Sequence, residues 1–346
     1  MAVGDFTPTR LSEIQLKMDE FWAEPQTMKN YSANGDTVKA LMENQTATFT
    51  DLEDPEKLKD VSVNWIDFCA DNVTETQAAD QCPMDAACPE GESKSKSYAL
   101  DIFLETCYSV NEDKLEDNLF SPEEVIAKGL MKAQKDLIER FNQKAIAVLI
   151  ANMGVNPYEG EPGVYNDLTG YTDIERKNFN IETLYPYWAL VMALNKSNNA
   201  FVLDGGNLYQ QALLALKNNP NSDGKLALGL FEMLPFFQDI FGFASTGNSS
   251  KTFLIDAGSV AVATRAKYPV TPRWIGGTVQ QTRYQIPLEQ LPGVSLDVAY
   301  QPVCDNDTIK HKWNLKLRAG VFVNPTLCND DNTGILGFNK VPDIVI

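Results

Sequence analysis

Between Ser121 and Gly154 the apolar residues recur in steps of three and four: Ile126, Leu130, Ala133, Leu137, Phe141, Ala145 and Val148. That spacing is one face of an α-helix. Both ends carry helix signals. Ser121 is an N-cap, Pro122 stands at the first helical position, and Glu124 completes a capping box. Gly154 is the expected left-handed stop. The segment predicts a helix of roughly 32 residues and 48 Å, far longer than the usual three or four turns. Up to Lys144 the face opposite the seam is charged. From Ala145 to Ala151 the chain is apolar nearly all round, so the second half is expected to be buried. Two readings follow: a long helix crossing an ordinary domain, or a spine joining an exposed, extended region to a compact one.

Before this helix the pattern is weaker. Leu11, Ile14, Leu16 and Phe21 fit a short amphipathic helix running to Trp22, Thr37 to Met42 a second, and Thr46 to Thr50 a brief strand. Val61, Val63, Trp65 and Phe68 alternate as a strand, and Tyr98 to Tyr108 as another. Between them lies a long polar loop, so residues 61–120 read as a hairpin-like excursion that is too thin to be stable alone. Residues 1–60 likewise lack the apolar surface for a core of their own and must lie on something else.

After the helix, short elements alternate with turn signals. Asn180 to Asn195 predicts a helix with Pro186 near its start. Asn199 to Leu203 predicts a buried strand, Asn207 to Lys217 a helix, and Leu226 to Phe243 an apolar stretch broken at Pro235. Lys251 to Ile255 is a strand, and Ala257 to Arg265 a short helix or strand of small residues. Gln280–Ile286, Val294–Tyr300 and the long Lys310–Phe322 alternate as strands, the last with Trp313, Leu315 and Leu317 on one face. A final apolar piece runs from Ile335 to Phe338. Helices mixed with short strands make an α/β or α+β body.

Charge sharpens the division. The chain of 346 residues has a net charge of −18. Residues 1–120 hold 25 acids against nine bases, while residues 121–346 hold 22 against 20. This argues against a basic nucleic-acid-binding surface. It leaves two readings: acidic surface that keeps the protein soluble, or an acidic third that meets a less acidic surface on a neighbouring copy. The N-terminus has no signal-peptide pattern, and no apolar run approaches the ~18 residues that span a bilayer.

Candidate chemistry is sparse. Six cysteines without a C-x-x-C pair and one histidine, His311, do not indicate a zinc site. The thiols read as reduced and buried, although Cys82, Cys88 and Cys107 share an acidic loop where a disulfide can close after lysis. Gly242 to Thr252 fails as a phosphate loop, because three residues separate Gly247 from Lys251. Asp204-Gly205-Gly206 lacks the spacing of a dinucleotide site. His311 sits among lysines with no G-x-S-x-G anywhere, and reads as a surface residue. Asp305, Asp307, Asp330 and Asp331 read as solvated turns before a cation site. No catalytic residue, metal or cofactor is expected, and the chain reads as structural, not as an enzyme.

The order of parts is an acidic arm, an extended two-stranded excursion, a long helix, a compact body, and a late long strand. With the A-domain-like texture of Lys251–Pro269, it resembles the major capsid proteins of tailed bacteriophages, the Hong Kong 97-type capsid fold. The resemblance implies an α+β fold with residues 1–60 as N-arm and 61–120 as E loop. It implies 121–179 as spine helix and part of the P domain, 180–300 as A domain, and 301–346 as the returning P-domain strand and C-terminus. It also implies a subunit that self-assembles through hexamers and pentamers into an icosahedral virion head, in the host cytoplasm, around double-stranded DNA bound without sequence specificity. Portal, scaffolding or decoration proteins are the further partners it implies, with no membrane. No lysine–asparagine crosslinking pair is evident. Another phage structural protein (tail tube or head decoration) and a cytosolic enzyme are the alternatives. The candidate intersubunit contacts are the apolar Trp22, Trp65, Phe68 and Phe103 of the partner-dependent third, and the basic Arg265, Lys267, Arg273 and Arg283.

Overall fold

A computed structural model describes residues 8–24, 31–50, 52, 60–65, 94–111, 121–156, 158, 160–194, 199–208, 234–267, 271–275, 279–305, 308–325 and 334–343. The expected helix beyond Leu208, residues 226–233 of the apolar stretch, Phe68 and the cysteines 69, 82, 88 and 328 lie outside the described residues. So do Asp307, Asp330 and Asp331.

The long helix runs from Pro122 to Ala151; four other helices are described, and in chain order it is α3. Its capping box is complete. Ser121 Oγ accepts the Glu124 N–H at 3.2 Å, and Glu124 Oε2 accepts the Ser121 N–H at 3.1 Å. Ser121→Ala is expected to cost about 1 kcal/mol, read as a lower denaturation midpoint; an unchanged midpoint would mean the cap contributes nothing.

Burial departs from the sequence expectation at the far end. The buried positions form one stripe along the whole helix, from Ile126 through Leu137 and Phe141 to Leu149. Ala147 and Ala151 are exposed and Val148 and Ile150 half-exposed, so the second half is not buried all round. Two of these four are alanines, whose exposure costs little. Gly154 is absent from the left-handed glycines; the helix ends on Asn152, and the Gly154 N–H donates to Ile335 O at 2.9 Å.

Two six-stranded sheets lie against this helix. The first has the order β10 (Val260–Thr264), β14 (Thr308–Val323), β13 (Ser295–Asp305), β12 (Val279–Pro287), β11 (Thr271–Ile275), all antiparallel. Strand β4 (Ile102–Asn111) also pairs with β14. Its inner face, including Trp313, Leu315, Leu317, Tyr300 and Val298, joins α3 in the largest core. Strand β4 comes so close that a Cβ on Gly129 would overlap the Tyr108 ring. Only a glycine admits that approach.

The second sheet has the order β5 (Gly163–Asn166), β6 (Tyr171–Glu175), β15 (Ile335–Val341), β9 (Lys251–Asp256), β7 (Ala200–Asp204), β8 (Phe236–Gln238). One face (Tyr171, Phe201, Phe253, Ile335) completes the core around α3. The other carries α4 (Ile181–Leu194) through Leu184, Trp188, Phe338 and Leu254. The C-terminal apolar piece is therefore a central strand, parallel to β6 and antiparallel to β9. The expected division at residue 300 falls inside β13, whose pairing with β14 holds both sides of it in one sheet.

The N-terminal third lies on this frame. Helix α1 (Pro8–Ala23) packs on α3, burying Ile14, Met18, Phe21 and Trp22; Leu16, expected on the same seam, is exposed. Helix α2 (Asp36–Asn44) also packs on α3. The expected single strand Tyr98–Tyr108 is two. Strand β3 (Lys94–Ala99) pairs with β2 (Asp60–Trp65), beside β1 (Thr48–Thr50), and the break at Leu100–Asp101 sends β4 into the large sheet. Val61, Val63, Trp65 and Leu100 pack on Ala261, Ala263 and Phe322, which anchors the excursion's base on its own chain. The class is α+β, as expected from the sequence.

Candidate functional site

The polar groups that the sequence offers for chemistry are used to build the fold. His311 is 1% exposed, not on the surface. On an alternating strand it shares parity with Trp313, Leu315 and Leu317, so the side chain turns inward. Its Nδ1 lies 2.8 Å from Tyr300 Oη, with the rings stacked. Asp204 is buried, which pushes its carboxyl up; it accepts from Thr252 Oγ1 (2.7 Å) and from the N–H groups of Gly206 and Leu208. It holds its own turn. In the Gly242–Lys251 loop the amides of Gly247, Asn248 and Lys251 donate to Ala244, Phe243 and Asn248 carbonyls, so the loop is closed on itself. Among the described residues no cluster of metal-ligating side chains occurs, and no helix is long and apolar enough to cross a membrane.

Two buried polar clusters tie the N-terminal third down. The first is centred on Asp239, the N-cap of α5 (Ile240–Ser245). Its carboxylate accepts from Gly242 N (2.7 Å), Asn34 Nδ2 (3.0 Å), Thr37 N (3.3 Å), Thr37 Oγ1 (2.6 Å) and Asn142 Nδ2 of α3. Asn142 Oδ1 accepts the Val38 N–H at 3.1 Å. Helix α2 has Gly35 at its N-cap and no side-chain cap of its own. Its first-turn amides are thus capped by residues from α3 and α5. Burial and the Asp239 charge push the Asp36 carboxyl up. An open cleft of about 600 Å³ lies beside this cluster, lined by Asn34, Asp36, Lys135, Glu139 and the exposed Phe241 among others.

The second cluster is Arg265, 4% exposed. Its Nε donates to Leu52 O and its guanidinium NH1 to Asp60 O, both at 3.1 Å. The buried cation thus clamps the chain on either side of the 53–59 stretch to the end of β10.

The expected contact residues divide. Trp22 and Trp65 are buried against their own chain, and Arg265 is buried in the clamp; none of the three faces outward as expected. The apolar surface that marked them is covered intramolecularly. Phe103 is 57% exposed on the outer face of β4. Lys267 and Arg283 are half-exposed, and the Lys267 N–H donates to the buried Asp297 at 2.7 Å. Arg273 pairs by backbone with Gln281 on β12. The acidic hub and α2's capping in trans were missed; the only signal was a helix pattern without a capping residue. Cys107 and Cys304 are exposed free thiols rather than buried.

No family profile matches the chain, and no curated protein matches it. Solved structures do. A chain from Mycobacterium phage Cain is 14% identical with a TM-score of 0.46, over 94% of this chain and 95% of that one. A chain of the cyanophage A-1(L) capsid asymmetric unit is 11% identical with a TM-score of 0.44, over 90% and 94%. A chain of the capsid of Ralstonia phage GP4 is 9% identical with a TM-score of 0.41, over 82% and 84%.

Proposed function

We propose that this chain is a structural subunit of an icosahedral viral shell of the Hong Kong 97 type, whose copies assemble around double-stranded DNA. The observation that carries this reading is the layout around α3. An N-terminal arm and a three-stranded excursion are strapped to a long capped helix, and two sheets, one of them containing the late long strand β14, close over it. Residues 1–60 take the part of the N-arm, 61–120 of the E loop, and 121–151 of the spine. The polar groups a catalyst would use are consumed in capping and clamping, which supports a structural over a catalytic role. Copies of the chain are its principal partners, in hexamers and pentamers, with Phe103, Lys267, Arg273 and Arg283 as the candidate contacts. Portal, scaffolding or decoration proteins are further partners, and the virion is its location. An open, head-to-tail interface of this kind closes only through symmetry.

Size-exclusion chromatography of purified protein, followed by negative-stain imaging, tests the reading. Capsomers or spherical particles are expected. A stable monomer at all concentrations would overturn it, and so would open tubes.

A further inference from the structure

We propose that the Lys251 amine and the Asn339 carboxamide join in an isopeptide bond within one chain, with Asp173 as the proton relay. The bond ties two strands of one sheet together, so it goes beyond the shell reading and does not rest on it. The register places Asp173 (β6) beside Asn339 (β15), and Asn339 beside Lys251 (β9). Directly opposed residues on antiparallel strands, such as Asn339 and Lys251, have Cβ atoms roughly 4.5–5.5 Å apart. Two positions along their strands, Tyr171 and Phe253 enter the core around α3. With a strand period of two, the three residues lie on that same face, half-buried at its margin. Lys251 and Asn339 are remote in sequence, and only the sheet brings them together.

Each group is held in place. Asn339 Nδ2 donates to Asp173 Oδ1 at 2.7 Å, and Ser250 Oγ donates to Asn339 Oδ1 at 3.2 Å. A carboxylate only accepts, so the amide nitrogen faces the acid and its oxygen the hydroxyl. The Lys340 N–H donates to Ser250 O at 3.1 Å, which fixes Ser250 to β15. Asn166 Nδ2 holds the other Asp173 oxygen at 2.9 Å. Lys251 Nζ lies 4.0 Å from the centre of the Tyr171 ring, which itself leans over Gly337. The lysine side chain therefore crosses β15 beside Asn339 to reach β6. Burial pushes the Lys251 ammonium down from its usual range, against the opposing pull of Asp173. An amine is a nucleophile only when neutral, and desolvation favours that form.

The neutral Lys251 nitrogen attacks Asn339 Cγ. Negative charge gathers on Oδ1, where the Ser250 hydroxyl stabilises it. The Asp173 carboxylate takes a proton from the attacking nitrogen and gives one to Nδ2, to which it is already hydrogen-bonded. The Cγ–Nδ2 bond breaks and ammonia leaves. One amine and one carboxamide become one secondary amide and one ammonia, and no oxidant or cofactor takes part. The product closes the last strand, β15, covalently onto β9, so β15 stays attached when the sheet opens.

Denaturing mass spectrometry of the full-length protein, after incubation at mildly alkaline pH, tests the bond. The mass is expected to fall by one ammonia, and digestion should yield a branched peptide joining Lys251 to Asn339. Lys251→Arg keeps a cation over Tyr171, and Asp173→Asn keeps the shape of the relay. Both should lose the link completely while circular dichroism reports an unchanged fold. Ser250→Ala should slow linkage about tenfold or more. A folded wild type that keeps its full mass would overturn the proposal. So would an ammonia loss confined to one unbranched peptide, which is an asparagine cyclised on its own backbone. A branch from Lys251 to Asp173, formed with loss of water, would remove Asn339 from the reaction and overturn it too. Linkage of Asp173→Asn at the wild-type rate would overturn the relay. Every outcome is read on the single chain, whether or not copies assemble.

Discussion

Asp239→Ala is expected to lower the stability of the full chain by about 3–5 kcal/mol, among the largest effects a single side chain produces. Asp239 is fully buried and accepts five hydrogen bonds from three separate stretches of chain: Asn34 and Thr37, Asn142, and Gly242. Truncation leaves those donors without an acceptor, and at the fully buried Thr37 and Asn142 water does not replace it. A buried polar group left unpaired costs roughly 1–3 kcal/mol each, partly recovered as the site relaxes. Asp239→Asn keeps the shape, but its NH₂ would face other donors, so about half the loss is expected to remain. Urea denaturation measures the loss. Hydrogen exchange locates it: amides of α2, above all Thr37 and Val38, should lose protection before those of α3 do. A midpoint within about 0.5 kcal/mol of wild type would show that the carboxylate is not the tie that this geometry makes it.

Arg265→Ala is expected to release the base of the excursion. The guanidinium makes hydrogen bonds to Leu52 O and Asp60 O while 4% exposed. Losing two charge-assisted bonds inside a buried site costs about 2–4 kcal/mol, felt first at Leu52 and Asp60, whose carbonyls accept them. Amide exchange in β1 and β2 should quicken by about 30-fold or more, since each 1.4 kcal/mol is tenfold. Protease cleavage within residues 50–60 should rise in parallel. Arg265→Lys should rescue poorly, because one ammonium on a flexible stem does not present the fork that spans both carbonyls. Unchanged exchange in β2 would mean that Val61, Val63 and Trp65 hold the hairpin without the clamp.

These two residues bracket what was legible in the sequence. The long helix, its capping box and its seam were readable because periodicity and caps are local. The strands β12, β13 and β14 were readable for the same reason, since alternation over a short window is a local signal. His311 was misjudged because neighbouring lysines suggest surface, whereas its parity with Trp313 places it inside. Trp22 and Trp65 were marked as intersubunit contacts, but their own chain covers them; which surface does so is a property of the packed chain. Arg265 was marked, with three other basic residues, as an intersubunit contact. Nothing near it in sequence says that its acceptors lie 213 and 205 residues away. The strand break at Leu100–Asp101 was invisible for a related reason: alternation continues through it while the pairing partner changes from β2 to β14.

By itself the sequence determined the one dominant capped helix, the alternating strands and the acidic first third, all of which follow from residues a few positions apart. The tertiary structure alone decided which polar groups are inside and what they hold. Helix α2 begins at Gly35 without a side-chain cap, and its open N–H groups at Thr37 and Val38 are met by Asp239 and Asn142, 202 and 104 residues distant. A helix end leaves its first amides unpaired whatever its sequence. Burial makes an acceptor obligatory, and the acceptor can come from any stretch that the fold brings near.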